Sequence, residues 1–245
     1  MKLSLATSVE INAVFQDAAT IRGQSTVEGI AQKFTELLFK RFQDSLIVTR
    51  IFATIPMGKL PKFNRDFVDS LAASAAVSEQ VNDETMVLSL LGTSGRLPEW
   101  NERRKSKGHV GIPLVSGKFV GSIPMISRLL TEIGMELDWV SDWGTKIVSK
   151  GFLSQSTGMF YVDDAGTSKD QEGRNIIVDQ NFVSLYGVKT VFGFGIGFVG
   201  NPTLAVLIAF AKETLGQPLI RSFIPVMAGF KRAAMDDVLN GNFFA

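Results

Sequence analysis

Cysteine is absent from these 245 residues, and histidine occurs once, as His109. The first absence excludes disulfides, thiolate nucleophiles, iron–sulfur clusters, cysteine-ligated zinc and thiol-anchored chromophores. The second leaves no multi-histidine metal site within the chain, and a Ser-His-Asp constellation would have to use His109. Charge of one sign is missing too. The 25 Lys and Arg stand against 24 Asp and Glu, for a net charge of +1, so no global field draws in DNA or an anionic membrane. The opening MKLSLATSVEINAVF has no apolar run long enough for a secretory signal. Val191 to Ala211 is uncharged and of bilayer length, but Gly193, Gly195, Gly197, Gly200 and Asn201-Pro202 interrupt it. It reads as two buried strands joined by a turn. No GxSxG elbow is present, and no paired carboxylates announce acid/base work. The expectation is a cytoplasmic chain that spans no membrane and binds no nucleic acid.

What is present suits a globular core: 45% of the residues are hydrophobic and 20% are charged, values that rule out wholesale disorder. Residues 1–25 read as an uncommitted N-terminal segment and 26–240 as one domain. Ile30, Ala31, Phe34, Leu37, Leu38 and Phe42 recur every three or four residues, which predicts an amphipathic helix over 27–42. SLIVTRIFATI (45–55) and TMVLSLLGT (85–93) are β-branched, apolar runs and predict strands. Further strands are expected at 110–114, 158–162, 189–199 and 204–210, with an edge strand at 175–178. Helices are expected at 64–77 and at 124–133. The latter starts with Pro124 and ends before Gly134, as helices prefer, and 135–150 should continue it into a loop. A last helix over 218–239 carries Pro225 and Gly229, either of which can break it. This order gives an α+β fold, a central antiparallel sheet of about six strands flanked by helices.

Four stretches carry a resemblance: ATIPMGKLP (53–61), SLLGTSGRLPEWNERRKSKGHVGIPL (89–114), PMISRLLTEIGMEL (124–137) and FVSLYGVKTVFGFGIGFVGNPTLAVLIAFAKE (182–213). Together they resemble the GAF-like sensory domain found N-terminal to some bacterial histidine kinases and related signalling proteins. Its most specific block is matched by Trp100, Asn101, Arg103, Arg104, Ser106, Gly108 and His109, followed by Ile112-Pro113-Leu114. Gly200-Asn201-Pro202 departs from the proline-serine-glycine turn of that family. The resemblance implies a GAF/PAS-like fold and a role in signal reception, without naming a signal or a cofactor. A phosphorylation helix, an ATP-binding domain and an acidic receiver pocket are all absent from the sequence. The chain is therefore expected to signal through a separate partner, a histidine kinase or other signalling protein, or through a homodimer formed by its terminal helices.

Each candidate residue has two readings. Arg103, Arg104, Lys105, Lys107 and His109 form a basic run that can grip a carboxylate or phosphate, or can be a solvated loop paired to Glu99 and Glu102. His109 can ligate haem or sense pH, or can simply be hydrogen-bonded to backbone at the start of a strand. Trp100 can stack on a ligand or close the loop over the core. Gly195-x-Gly197-x-x-Gly200 matches a dinucleotide fingerprint but lacks the strand–turn–helix setting that the fingerprint needs. As part of a strand, Gly193, Gly195 and Gly197 share one face and leave a groove, while Phe192, Phe194, Ile196 and Phe198 pack the core on the other. Asp163, Asp164, Asp170 and Glu172 lack the alternation of a calcium loop. The candidate ligand-binding set is Trp100, Arg103, Arg104, Ser106, His109, Met125, Arg128, Gly195 and Gly197. The leading expectation is a non-catalytic domain that binds a small, anionic molecule. A small-molecule enzyme using Arg103, Arg104 and His109, or an interaction module with no pocket, are the alternatives.

Overall fold

Strand β1 (Leu46–Pro56) is buried on both sides along almost its whole length, a pattern that belongs to the middle of a covered sheet. The computed structural model describes residues 1–106, 108–142 and 158–245. In it, β1 pairs antiparallel with β2 (Met86–Gly95) on one side and with β6 (Asn201–Ala211) on the other. β3 (Gly111–Pro113) lies outside β2, and β5 (Thr190–Phe198) then β4 (Gly158–Val162) lie outside β6. The strand order is β3-β2-β1-β6-β5-β4. The helices are α1 (Ser8–Ala19), α2 (Val27–Arg41), α3 (Lys62–Ser74), α4 (Gly117–Gly121), α5 (Pro124–Glu132), α6 (Gln180–Tyr186), α7 (Gln217–Ser222) and α8 (Ile224–Asn240). The expected α+β sheet with flanking helices is thus observed.

Alternation along the strands builds two cores. Ile51, Ala53 and Ile55 of β1, with Phe192, Phe194, Ile196 and Phe198 of β5, face α1, α2 and α8. The rings of Phe34 in α2 and Phe230 in α8 meet at 5.2 Å between centroids. Val48 and Phe52 of β1, Leu88 and Leu90 of β2, and Val206, Ile208 and Phe210 of β6 fill the other face. That face is covered by short helices and loops: Phe119 and Val120 of α4, Ile126, Leu129 and Leu130 of α5, and Val183 of α6.

Several local expectations change. Residues 1–25 contain α1, capped by Thr7 with Glu10 in a reciprocal box, and its Ile11, Val14 and Ala18 are core residues. The 175–178 stretch forms no strand. Lys169 and Asn175 share an isolated bridge, and the buried Ile176 and Ile177 serve as packing. The turn of the terminal hairpin is Val199-Gly200, with Gly200 at φ +74°. Asn201-Pro202 already belongs to β6. The Val191–Ala211 stretch is therefore two strands, and among the described residues no helix is long and apolar enough to cross a membrane. The last helix is broken at Phe223, two residues before Pro225, while Gly229 sits inside α8. Lys107 and residues 143–150 of the expected helix-to-loop segment lie outside the described residues.

The closest approach of α2 to the sheet is at Gly92. A Cβ there would lie 2.4 Å from the Ala31 carbonyl carbon, and backbone cannot step aside as a side chain can. Gly92→Ala should therefore destabilise the chain by about 1–3 kcal/mol. The urea midpoint should fall with an unchanged slope. Gly121→Ala, where nothing lies within 4 Å, serves as the neutral control.

Candidate functional site

β3 is only three residues long, so it covers β2 from Val87 to Ser89 and no further. Beyond that point the outer edge of β2 is satisfied by side chains and by the loop 96–110. The Leu90 N–H donates to the Val110 carbonyl at 2.8 Å. The Thr93 N–H donates to Gln32 Oε1 of α2 at 3.1 Å, and the Gly95 N–H donates to Asn101 Oδ1 at 2.9 Å. Asn101 Nδ2 returns a bond to the Gly95 carbonyl at 3.2 Å, and the Thr93 hydroxyl donates to the Trp100 carbonyl at 2.9 Å. Two side-chain amides thus stand in for the missing strand. They hold the loop along the edge, where it can send side chains to both faces of the sheet.

Arg103 goes to the helix-covered face. Its Nε donates to Glu28 at the start of α2, and its Nη1 donates to Asn64 Oδ1 at 2.7 Å. Asn64 in turn donates to Ser89 Oγ at 2.8 Å, and the guanidinium carbon lies 5.1 Å from the centre of the Phe244 ring. Nη2 alone is sealed without a hydrogen-bond partner. Arg103 is 3% exposed and its charge is neutralised internally, so it fixes the loop to α2 and α3. Trp100 packs edge-on to Tyr186 and Phe182 of α6, at 4.7 and 5.8 Å between ring centroids. It anchors the loop over the second core. Arg104 is exposed, and its backbone N–H bonds the Glu102 carboxylate.

A residue outside the expected set makes the site. Arg50 sits in mid-β1, opposite Thr93 of β2 and Ile208 of β6. Thr49 bonds the Thr35 carbonyl of α2 and Ile51 belongs to the helix-side core, so Arg50 between them points to the loop-covered face. Its Nε is sealed from solvent with no hydrogen-bond partner, and among the described residues no carboxylate pairs with it. Burial alone pulls its pKa down to about 10, so it stays charged at neutral pH. Gly108 of the loop lies against it: a Cβ at position 108 would come within 3.0 Å of Arg50 Nη1. Next along the loop, His109 is half-buried. Its pKa is lowered first by desolvation and then by the charge of Arg50. Two residues before Gly108, the Ser106 hydroxyl is also sealed and unpartnered. The loop therefore brings the backbone of Gly108 and the imidazole of His109 against an uncompensated cation.

The other expected residues lie elsewhere. Met125 is half-buried against the second core. Arg128 donates to Glu132 at 2.7 Å and to the Tyr161 carbonyl of β4 at 2.8 Å. It borders an open cleft of about 750 Å³ shared with Asp163, Gln217 and Arg221. β4 is three strands away from β1, roughly 14 Å at ordinary strand spacing, so Arg128 does not join Arg50 and His109. The groove expected over the glycines is filled. Cβ atoms at Gly195 and Gly158 would meet Ile133 at 3.0 and 2.2 Å, so these glycines let the end of α5 pack onto the sheet. Gly197 is a buried strand residue opposite Leu204. Gly200 opens a hairpin and not a helix, which leaves no dinucleotide turn. In the acidic loop, Asp164 and Asp170 accept bonds from the N–H groups of Gly166, Glu172 and Arg174 and so shape turns. Among the described residues no cluster of three potential ligands could hold a metal.

No protein-family model and no curated protein matches this chain. Two solved structures are similar in fold. The phycocyanobilin-bound GAF domain of a cyanobacterial phytochrome is 14% identical, with a TM-score of 0.48 over 94% of this chain and 96% of its own. The phycoerythrobilin-bound GAF domain of a cyanobacterial phytochrome is 10% identical, with a TM-score of 0.41 over 95% of this chain and 94% of its own.

His109 reports on Arg50, and as the single histidine of the sequence it gives one imidazole resonance. NMR titration should place its pKa below the ordinary 6.5, and Arg50→Gln should raise it. The unfolded chain then binds the proton more readily than the folded one. Stability should therefore be full above about pH 6.5 and fall as pH drops from there toward the folded pKa. His109→Gln should flatten that slope.

Proposed function

We propose that this chain is a non-catalytic sensory domain that binds a small molecule on the loop-covered face of its sheet and acts through a partner. One observation carries the reading. In a layer otherwise filled by apolar packing, Gly108 lies against Arg50, whose Nε is sealed without a partner, and native interiors leave few such groups without a reason. The basic run does not supply an active site: Arg103 is tied to Glu28 and Asn64, and Arg104 faces solvent. This disfavours the enzyme reading, which needed Arg103, Arg104 and His109 together. Occupancy would favour one arrangement of the loop over another, a population shift that requires a difference in affinity between the two. Arg103 links the loop to the start of α2, and α2 packs with α1 and α8 in one core. The terminal helices are therefore the natural output surface, toward a bacterial histidine kinase or a second copy in the cytoplasm. Val9 beside α1's cap and Leu239 near the end of α8 are 73% and 52% exposed.

A pocketless interaction module is the second reading, favoured by the packing of Ile133 over Gly195. A thermal-shift screen of small metabolites on the intact chain separates the two. The sensory reading expects at least one compound that raises the melting temperature in a saturable way, with protection from hydrogen exchange gained in residues 96–110. A screen in which every compound leaves both unchanged would establish the interaction module instead.

A further inference from the structure

The buried cation itself narrows the ligand. An arginine taken out of water without a carboxylate beside it is costly, and natural proteins normally pair such a charge. Arg103 shows how this chain does it elsewhere, with Glu28 and Asn64 around the guanidinium. Arg50 has none of this. The strand neighbours are Thr93 and Ile208, the backbone of Gly108 lies against it, and the titrating group that feels its charge is the imidazole of His109, whose protonation Arg50 opposes. Nothing described there is anionic. Yet the residue keeps part of its surface open, and only Nε is fully sealed.

We propose that Arg50 is the receptor for one oxyanion, a carboxylate or a phosphate, of a small molecule lodged beside Gly108 and His109. The assignment rests on the ligand-binding reading above and names the group that ligand must carry. A guanidinium offers a planar fork of donors that matches two oxygens of either anion. His109, whose protonation Arg50 opposes, adds a further donor when it takes up a proton. Gly108 allows the roof to descend onto the guanidinium. A small molecule fits better than a macromolecule, because only part of Arg50 is open and its Nε is sealed. A metal ion does not fit either, since Arg50 repels it.

The test titrates the full chain with sodium acetate, succinate, inorganic phosphate or methyl phosphate at constant ionic strength, with sodium chloride as reference. The His109 resonance and the melting temperature are read together. The expected result is a saturable response to the carboxylates or to the phosphates that chloride does not reproduce, with the His109 pKa rising as the charge of Arg50 is neutralised. Whichever pair responds identifies the source of the oxyanion. Arg50→Gln should weaken the response at least about tenfold, the loss expected when a charge-assisted pair is removed. Arg104→Gln, on the exposed side of the loop, should leave it within about twofold. Arg50→Met should raise the melting temperature of the free protein, because it removes an unpaired buried charge. An unchanged response in Arg50→Gln overturns the assignment, as does a wild-type His109 signal that follows all four anions no differently from chloride. The wild-type titration decides even if a variant fails to fold. If the metabolite screen yields a ligand whose affinity Arg50→Gln leaves intact, the oxyanion assignment fails and the sensory reading survives. If neither anions nor screened compounds bind, both fail.

Discussion

Burial of the sheet on both faces is the constraint from which the rest follows. A central strand in that position must be apolar in both directions, and β1 obeys this from Leu46 to Ile55 with one charged exception. Each face is then covered in a different way. The helical side is sealed by α1, α2 and α8, whose aromatic and aliphatic residues close around Phe34 and Phe230. The opposite side is assembled from short helices and one long loop, and there the packing tolerates polar groups. The asymmetry puts adaptable cover on a single face and leaves the other as a rigid base.

Two arginines, Arg103 buried and Arg50 partly so, illustrate how one side chain takes two roles. Arg103 is held by a carboxylate, an amide and an aromatic ring, so it ties the loop to the helical layer. Arg50, on the opposite face, is held by nothing of opposite sign among the described residues. Its desolvation is an unrelieved cost in the free protein, and the depressed basicity of His109 is a second expression of the same field. A structural role accounts for the first arginine and leaves the second unexplained unless something outside the chain completes it.

Much of the architecture was legible in the residues. β-branched runs located the strands, and three-and-four spacing located α2. Pro124 and Gly134 bracketed α5. The first helix, too, is written in the sequence: Thr7 and Glu10 spell a capping box, and Ile11, Val14 and Ala18 follow at helical spacing. The glycines of β5 announce a groove that a helix, a loop or a ligand can approach closely, but which of these fills it depends on Ile133, which is distant in sequence and which no local pattern reveals. The site was harder still. A conspicuous cluster of cations at 103–109 drew the eye, yet exposure and internal pairing spend most of that charge. The informative residue was the single arginine inside SLIVTRIFATI, where a charge in an otherwise apolar strand is the anomaly. Its lack of a partner is a three-dimensional fact that no spacing rule reports.

The brevity of β3 has a consequence for the company this chain keeps. From Leu90 to Gly95 the margin of the sheet would present bare amide and carbonyl groups, a template onto which any extended peptide could be added. Gln32 and Asn101 occupy those groups with their own amides and so cap the sheet from within. Loss of that cap would leave the fold's weakest flank open to strand exchange between copies, so the loop protects against self-association as well as roofing Arg50.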